Sequence, residues 1–175
     1  SAADEGLRCL RQQRLELNYY GVAAAIKVCN KVGAWSEAVQ FLRDAVMHHV
    51  EIDTVCCNSA ISACGKGKAW QQALQLFLEM ADISVDRSSI TYGAATSAFV
   101  KVGEWQQATQ LLHDMEHCSV EICTITYSAA ISACEKANQW QQASRLLQRM
   151  SDDRVEMNNI SCNAAMSACD KGGAW

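Results

Sequence analysis

Apolar residues along the chain fall into short runs with helical spacing. Cys57, Ala60, Ile61 and Cys64 occupy positions i, i+3, i+4 and i+7 of one run, and Tyr127, Ala130, Ile131 and Cys134 occupy the same positions of another. At 3.6 residues per turn this lays one apolar stripe along an α-helix. A second kind of run follows the first, with Trp70, Ala73, Phe77 and Met80 on one face. Between the two kinds of run lie Gly33, Gly67, Gly103, Asn138 and Gly172-Gly173, residue types that tolerate the left-handed conformation that ends a helix. The chain has no proline, so nothing interrupts these helices from within. The pattern predicts helix, turn, helix, many times over.

The period is fixed by tryptophan: Trp35, Trp70, Trp105, Trp140 and Trp175 are 35 residues apart every time. A polar pair and an alanine follow the first four, as Ser36-Glu37-Ala38, Gln71-Gln72-Ala73, Gln106-Gln107-Ala108 and Gln141-Gln142-Ala143, and Met80, Met115 and Met150 close the second run. The recurring alanines mark a place where two helices approach too closely for a larger side chain. Self-similarity at such a period predicts an all-α solenoid of 35-residue helix-turn-helix repeats. Full repeats are expected at 19–53, 54–88, 89–123 and 124–158. Ala3, Leu7, Leu10 and Leu15 line up with Ala38, Leu42, Ala45 and Val50, so 1–18 is expected to be the second helix of a partial repeat and 159–175 the first helix of another. By that register the chain is expected to be a segment of a longer array.

Composition narrows the chemistry. Half of the 175 residues are hydrophobic and 19% are charged, enough for a core and too few charges for a disordered tail. No apolar run approaches the roughly 18 residues that cross a bilayer, so no membrane partner is expected. The net charge of −4 and pI near 5.5 exclude a uniformly basic nucleic-acid glove; any such contact depends on where the positive charges sit. Ten cysteines could form a disulfide framework in a small secreted chain. Here Cys29, Cys64, Cys134 and Cys169 keep the repeat's register, as small core residues would. There is no C-x-x-C pair, and His113 and His117, one helical turn apart, lack an obvious third ligand. No metal site, cofactor, small-molecule substrate or catalytic constellation is expected, and the chain is not read as an enzyme.

The side of the first helix away from the core carries a pattern of its own. At about 100° per residue Val55, Asn58, Ser62 and Lys66 fall together, opposite Cys57, Ala60, Ile61 and Cys64. The stripe recurs as Ile90, Gly93, Ser97, Lys101 and as Ile125, Ser128, Ser132, Lys136. Its lysine recurs in every repeat, as Lys31, Lys66, Lys101, Lys136 and Lys171. One ammonium per repeat suits the phosphates of an extended strand; a lysine near a helix C-terminus also complements the macrodipole and keeps an array soluble.

The openings Ile90-Thr91-Tyr92-Gly93 and Ile125-Thr126-Tyr127-Ser128, with the looser Val55-Cys56-Cys57-Asn58 and Ile160-Ser161-Cys162-Asn163, resemble the pentatricopeptide repeat family over essentially the whole chain. The resemblance implies a right-handed superhelix that reads single-stranded RNA at one base per repeat. It assigns base selection to the residue after the tyrosine position (Ala23, Asn58, Gly93, Ser128, Asn163) and to the last residue of the unit (Asp53, Ser88, Cys123, Asn158). Asn58 with Ser88 would favour a pyrimidine, cytosine by the family's pattern, and Ser128 with Asn158 would favour adenine. Ala23 and Gly93 offer no side-chain hydrogen bond, so their repeats would discriminate poorly. Val55, Ile90, Ile125 and Ile160, with Tyr20 in the first repeat, would sandwich the base, and the lysines would meet phosphate. Asp53, Ser88 and Asn158 would equally serve as helix N-caps. The family's proline near the end of each unit is replaced by Ile52, Arg87, Ile122 and Met157. The implied work is processing, stabilising, editing or translating transcripts in a mitochondrion or plastid; the alternative is a protein-interaction scaffold holding a peptide or partner helix.

Overall fold

The computed structural model describes residues 19–173. The helix expected within 1–18 and the last tryptophan, Trp175, lie outside the described residues. Nine helices are described: α1 (Tyr19–Val32), α2 (Trp35–Met47), α3 (Thr54–Lys66), α4 (Trp70–Asp82), α5 (Ser89–Val100), α6 (Trp105–His117), α7 (Thr124–Lys136), α8 (Trp140–Asp152) and α9 (Asn159–Gly172). No strand occurs among the described residues. This is an all-α array of helical hairpins, and Trp35, Trp70, Trp105 and Trp140 each begin a second helix.

The chain divides into two compact units, Ser1–Arg87 and Ser88–Trp175. In the first, α1 packs on α2 and α3, α2 on α3, and α3 on α4. In the second, α5 packs on α6 and α7, α6 on α7, α7 on α8 and α9, and α8 on α9. Within each unit a first helix therefore touches its own partner and any first helix that follows it in that unit, the arrangement by which stacked hairpins bury apolar faces they could not bury alone.

The buried set follows the predicted stripes. Ala60, Ile61 and Cys64 of α3 and Ala130, Ile131 and Cys134 of α7 are fully buried, as are Ala38, Ala73, Ala108 and Ala143 in the second helices. Burial pushes the thiols of Cys57, Cys64 and Cys134 up to about 11, so they pack as neutral apolar groups rather than as thiolate ligands. No disulfide joins the cysteines among the described residues. Cys56, adjacent to Cys57, is buried as well, so both neighbours serve the core. The buried Tyr127 hydroxyl donates to Asp153, which satisfies a polar group that would otherwise be stranded.

Both helices of a hairpin close in the same way. At the end of the first, Ala34 N–H donates to Cys29 O at 3.0 Å, Ala69 N–H to Cys64 O at 2.9 Å and Gln139 N–H to Cys134 O at 2.9 Å. At the end of the second, Val50, Val85, Val120 and Val155 donate to Ala45, Met80, Met115 and Met150 at 2.9–3.0 Å. These bonds span six residues, with a left-handed residue before the donor, and satisfy a carbonyl left open by the last turn. The left-handed residues after the first helices are Gly33, Lys68, Gly103, Asn138 and Gly173; after the second they are His49, Ser84, Ser119 and Arg154.

Gly67 and Gly172 depart from the expectation that they end helices in the left-handed form. Gly67 has φ −79°, and Gly172 is the last residue of α9. Their lack of a side chain serves packing instead. A methyl at Gly67 would fall inside the van der Waals envelope of Trp35 Cδ1 and Cγ, and one at Gly172 inside that of Trp140. Trp35 and Trp140 thus each lie on a glycine at the end of the next repeat's first helix.

Candidate nucleic-acid interface

The aliphatic members of the predicted stripe lie at the surface. Tyr20, Val55, Ile90, Ile125 and Ile160 are exposed at 79, 53, 71, 67 and 62%, the second residue of each first helix. Single exposed apolar residues are ordinary on proteins. Five in one register are not, because each forgoes burial worth roughly 1.5–3 kcal/mol that the same residue types gain in the core. Tyr20 also has a support: the Tyr19 ring meets it edge-on at 5.3 Å.

The proposed base-selecting residues sit one turn further along these helices or just before them, and most have work in the fold already. Asp53 caps α3, accepting from Cys56 N–H at 2.8 Å, and its other oxygen accepts from the Tyr19 hydroxyl at 2.6 Å. Burial alone would raise this carboxyl, but the Tyr19 and Cys56 donors hold it below the usual carboxylate range. Ser88 caps α5 reciprocally: its own N–H donates to Thr91 Oγ1 at 3.2 Å. Cys123 occupies the same place before α7, with Sγ 3.4 Å from Thr126 Oγ1. Asn158 caps α9, its Oδ1 accepting from Ser161 N–H at 2.8 Å. Thr91 and Ser161, at the third helical position, are therefore the other halves of capping boxes.

Two members are positioned in ways the sequence did not suggest. Ser128, expected on an open face, is buried and donates from Oγ to Asn158 Oδ1 at 3.1 Å. The two residues paired by resemblance are thus hydrogen-bonded to one another. Asn58 is half-exposed, yet its Oδ1 is buried without a partner, a state that costs about 1–3 kcal/mol and is relieved by any donor that reaches it. Asn163 is exposed. Ala23 and Gly93 leave their places without polar groups, and a Cβ added at Gly93 would meet nothing within 4 Å. Gly93 is inside α5 in ordinary helical conformation, so Gly93→Ala is expected to stabilise the protein by about 0.5–1 kcal/mol; urea unfolding of the two proteins measures this.

All five lysines are exposed, but not equally available. Lys66 Nζ donates to Asn30 O at 2.8 Å, bridging to the last turn of α1 as a cation should at a helix C-terminus. Lys171 Nζ is 2.8 Å from Glu135 Oε1. Where the family's proline is replaced by Arg87, the guanidinium folds back over the Phe77 ring at 4.6 Å and donates to Leu78 O at 3.2 Å, so the turn is held by a side chain instead of a ring-locked φ.

Elsewhere the surface holds less. His113 and His117 on α6 are 3.0 Å apart through Nε2, on a second helix and off the stripe. No group of three or more potential metal ligands comes together among the described residues. No described helix is long and apolar enough to cross a membrane.

Stacked helical hairpins whose first helices expose aliphatics, small polar groups and lysines in one sequence register define a class, the helical-repeat proteins. The sequence matches the pentatricopeptide repeat domain over residues 110–171 and the PPR repeat over 55–85 and 90–120. This chain belongs to the pentatricopeptide repeat family. No curated protein matches it in sequence. Among solved structures it is similar to the maize pentatricopeptide repeat protein PPR10, at 23% identity and a TM-score of 0.78 over 98% of this chain. It is also similar to PPR10 in complex with an 18-nt psaJ RNA element, at 17% identity and a TM-score of 0.77 over 97% of this chain. A third is the PPR domain of Arabidopsis thaliana protein-only RNase P 1 in complex with tRNA, at 15% identity and a TM-score of 0.70 over 85% of this chain and 81% of that one. The chain spans about a quarter of the length of PPR10.

Proposed function

We propose that this chain binds single-stranded RNA along the first-helix stripe, about one base per repeat. Bases lie between the exposed residues Tyr20, Val55, Ile90, Ile125 and Ile160, and phosphates lie beside lysines of the stripe, Lys31, Lys66, Lys101 and Lys136. Asn58 with Ser88, Ser128 with Asn158, and Asn163 and Asp53 in their own repeats face the base edges. The observation that carries this reading is the ladder of exposed apolar residues in one register with a lysine in each repeat. Such a surface suits a ligand that is itself a repeating alternation of flat apolar rings and negative charges. The RNA named with PPR10 and the tRNA named with the RNase P domain are of the same chemical kind. The array acts as a binding module rather than a catalyst, and the family resemblance supports organelle transcripts as its targets.

The Ser128–Asn158 pair adds a chemical preference. Asn158 Oδ1 accepts both the Ser161 N–H and the Ser128 hydroxyl, which leaves Asn158 Nδ2 as donor and the Ser128 lone pairs as acceptor. Adenine and cytosine offer the complement, a ring-nitrogen acceptor beside an amino donor, whereas uracil and guanine carry a proton on the ring nitrogen instead; of the two, the family's pattern favours adenine. Asn158→Asp keeps an oxygen for the Ser161 cap but turns the donor into an acceptor. With RNAs that vary at one position, this variant is expected to lose its preference for adenine by about tenfold, the worth of one hydrogen bond to a buried group. An unchanged order of preference among the four bases would remove the pair from the base site.

A further inference from the structure

One lysine of the ladder differs from the others in what it faces. The residue 36 positions before each lysine is Asn30 for Lys66, Gly65 for Lys101, Val100 for Lys136 and Glu135 for Lys171. Only the last carries charge. Lys66 uses that register to reach a neutral backbone carbonyl, so its positive charge stays uncompensated and can still attract phosphate. Lys171 reaches a carboxylate at 2.8 Å, and Ser167 Oγ donates to the same Glu135 oxygen at 2.8 Å. The Glu135 side chain, 22% exposed, is thereby fixed between α7 and α9.

We propose that Glu135 occupies Lys171 in place of an RNA phosphate, so that this repeat of the array holds a base without gripping the backbone. The inference rests on the RNA-binding reading above. The Lys171 ammonium, with help from Ser167 and the nearby Lys136 charge, holds the Glu135 carboxyl below the usual range against the opposing effect of burial. Glu135 is therefore ionised throughout the neutral pH range. A phosphate approaching Lys171 has to displace a carboxylate that is already in contact and held by a second donor, and it meets like charge while doing so. Val100, at this register before Lys136, offers no such competitor. The positive track is graded, strong where the paired residue is neutral and cancelled at Lys171.

A double-mutant cycle tests this, with the whole chain and one single-stranded RNA longer than one nucleotide per repeat. Glu135→Gln keeps an oxygen for Ser167 and removes the charge; Lys171→Gln removes the ammonium. In the unaltered chain Lys171→Gln is expected to leave Kd within about twofold, since the lysine makes no phosphate contact. Glu135→Gln should tighten binding roughly two- to fivefold and steepen the dependence of log K on log salt by about 0.7, the increment for one further phosphate on a single strand. Adding Lys171→Gln to Glu135→Gln should erase both gains. The proposal is overturned if Lys171→Gln weakens binding equally with and without Glu135, or if the gain from Glu135→Gln survives loss of the lysine, which would make it a bulk charge effect. Either result leaves RNA binding standing, whereas no RNA binding by any of the four proteins removes the reading on which the proposal rests.

Discussion

Exchanging Lys66, Lys101 and Lys136 for glutamate is expected to abolish binding to every RNA, whatever its sequence, while the protein stays folded. Each exchange replaces +1 by −1 at an exposed site, so the stripe changes by six charges in a chain whose net charge is −4. The overall charge is no obstacle to binding before the change, because fields at the surface are screened within about 8 Å at physiological salt and a phosphate responds to its nearest lysine. After the change the nearest group repels it. Loss of three phosphate contacts and their conversion to repulsion is expected to weaken binding by at least about a hundredfold at moderate salt. The fold has little at stake in these side chains. Lys66 gives up one exposed bond to Asn30 O, and the first helices bury their opposite face. Circular dichroism and the unfolding midpoint separate lost binding from lost structure. A triple variant that is folded and binds RNA normally would show that the lysines serve the helix termini alone.

The second large effect concerns the fold. Gly67→Ala is expected to destabilise the protein by about 1–3 kcal/mol, the range for forcing a methyl into packed space. The added carbon falls on Cδ1 and Cγ of Trp35, atoms at the base of the indole, which cannot move without swinging the whole ring. Ala137 stands at the same register two repeats later, so the cost is that of a shifted ring rather than of a lost fold. In Trp35→Ala the space is vacated, and the further change Gly67→Ala should then cost little, a non-additivity expected of side chains in contact. Denaturant midpoints of the four proteins give the comparison. The contrast with Gly93, where the same methyl meets nothing and stabilises, isolates packing from helix propensity.

Much of the fold was legible because it is written several times. The spacing of Trp35, Trp70, Trp105 and Trp140 marked where the described second helices begin, and i, i+3, i+4, i+7 patterns identified the buried faces. The turns were legible only in part. Glycine and asparagine correctly marked Gly33, Gly103 and Asn138 as left-handed, but Lys68, His49, Ser84, Ser119 and Arg154 adopt that conformation without any residue preference announcing it. Their neighbours decide: the valines at 50, 85, 120 and 155 recur because they close the helix over the residue five before. At the interface, register located the ladder, but it could not foresee which polar groups face one another. Ser128 on Asn158, Tyr19 on Asp53 and Lys171 on Glu135 join different helical repeats or their flanking turns, and contacts of that kind depend on how hairpins stack rather than on the period of any one helix.

The most direct measurement is fluorescence anisotropy of this chain with short labelled homopolymeric RNAs of equal length, at low and physiological salt, beside the matching DNA. A reader of RNA bases distinguishes homopolymers of identical charge, prefers RNA to DNA, and weakens steadily as salt rises. No binding at low salt, or equal binding to every polymer, would contradict base reading and leave the ladder of aliphatics and lysines as a surface for a protein partner.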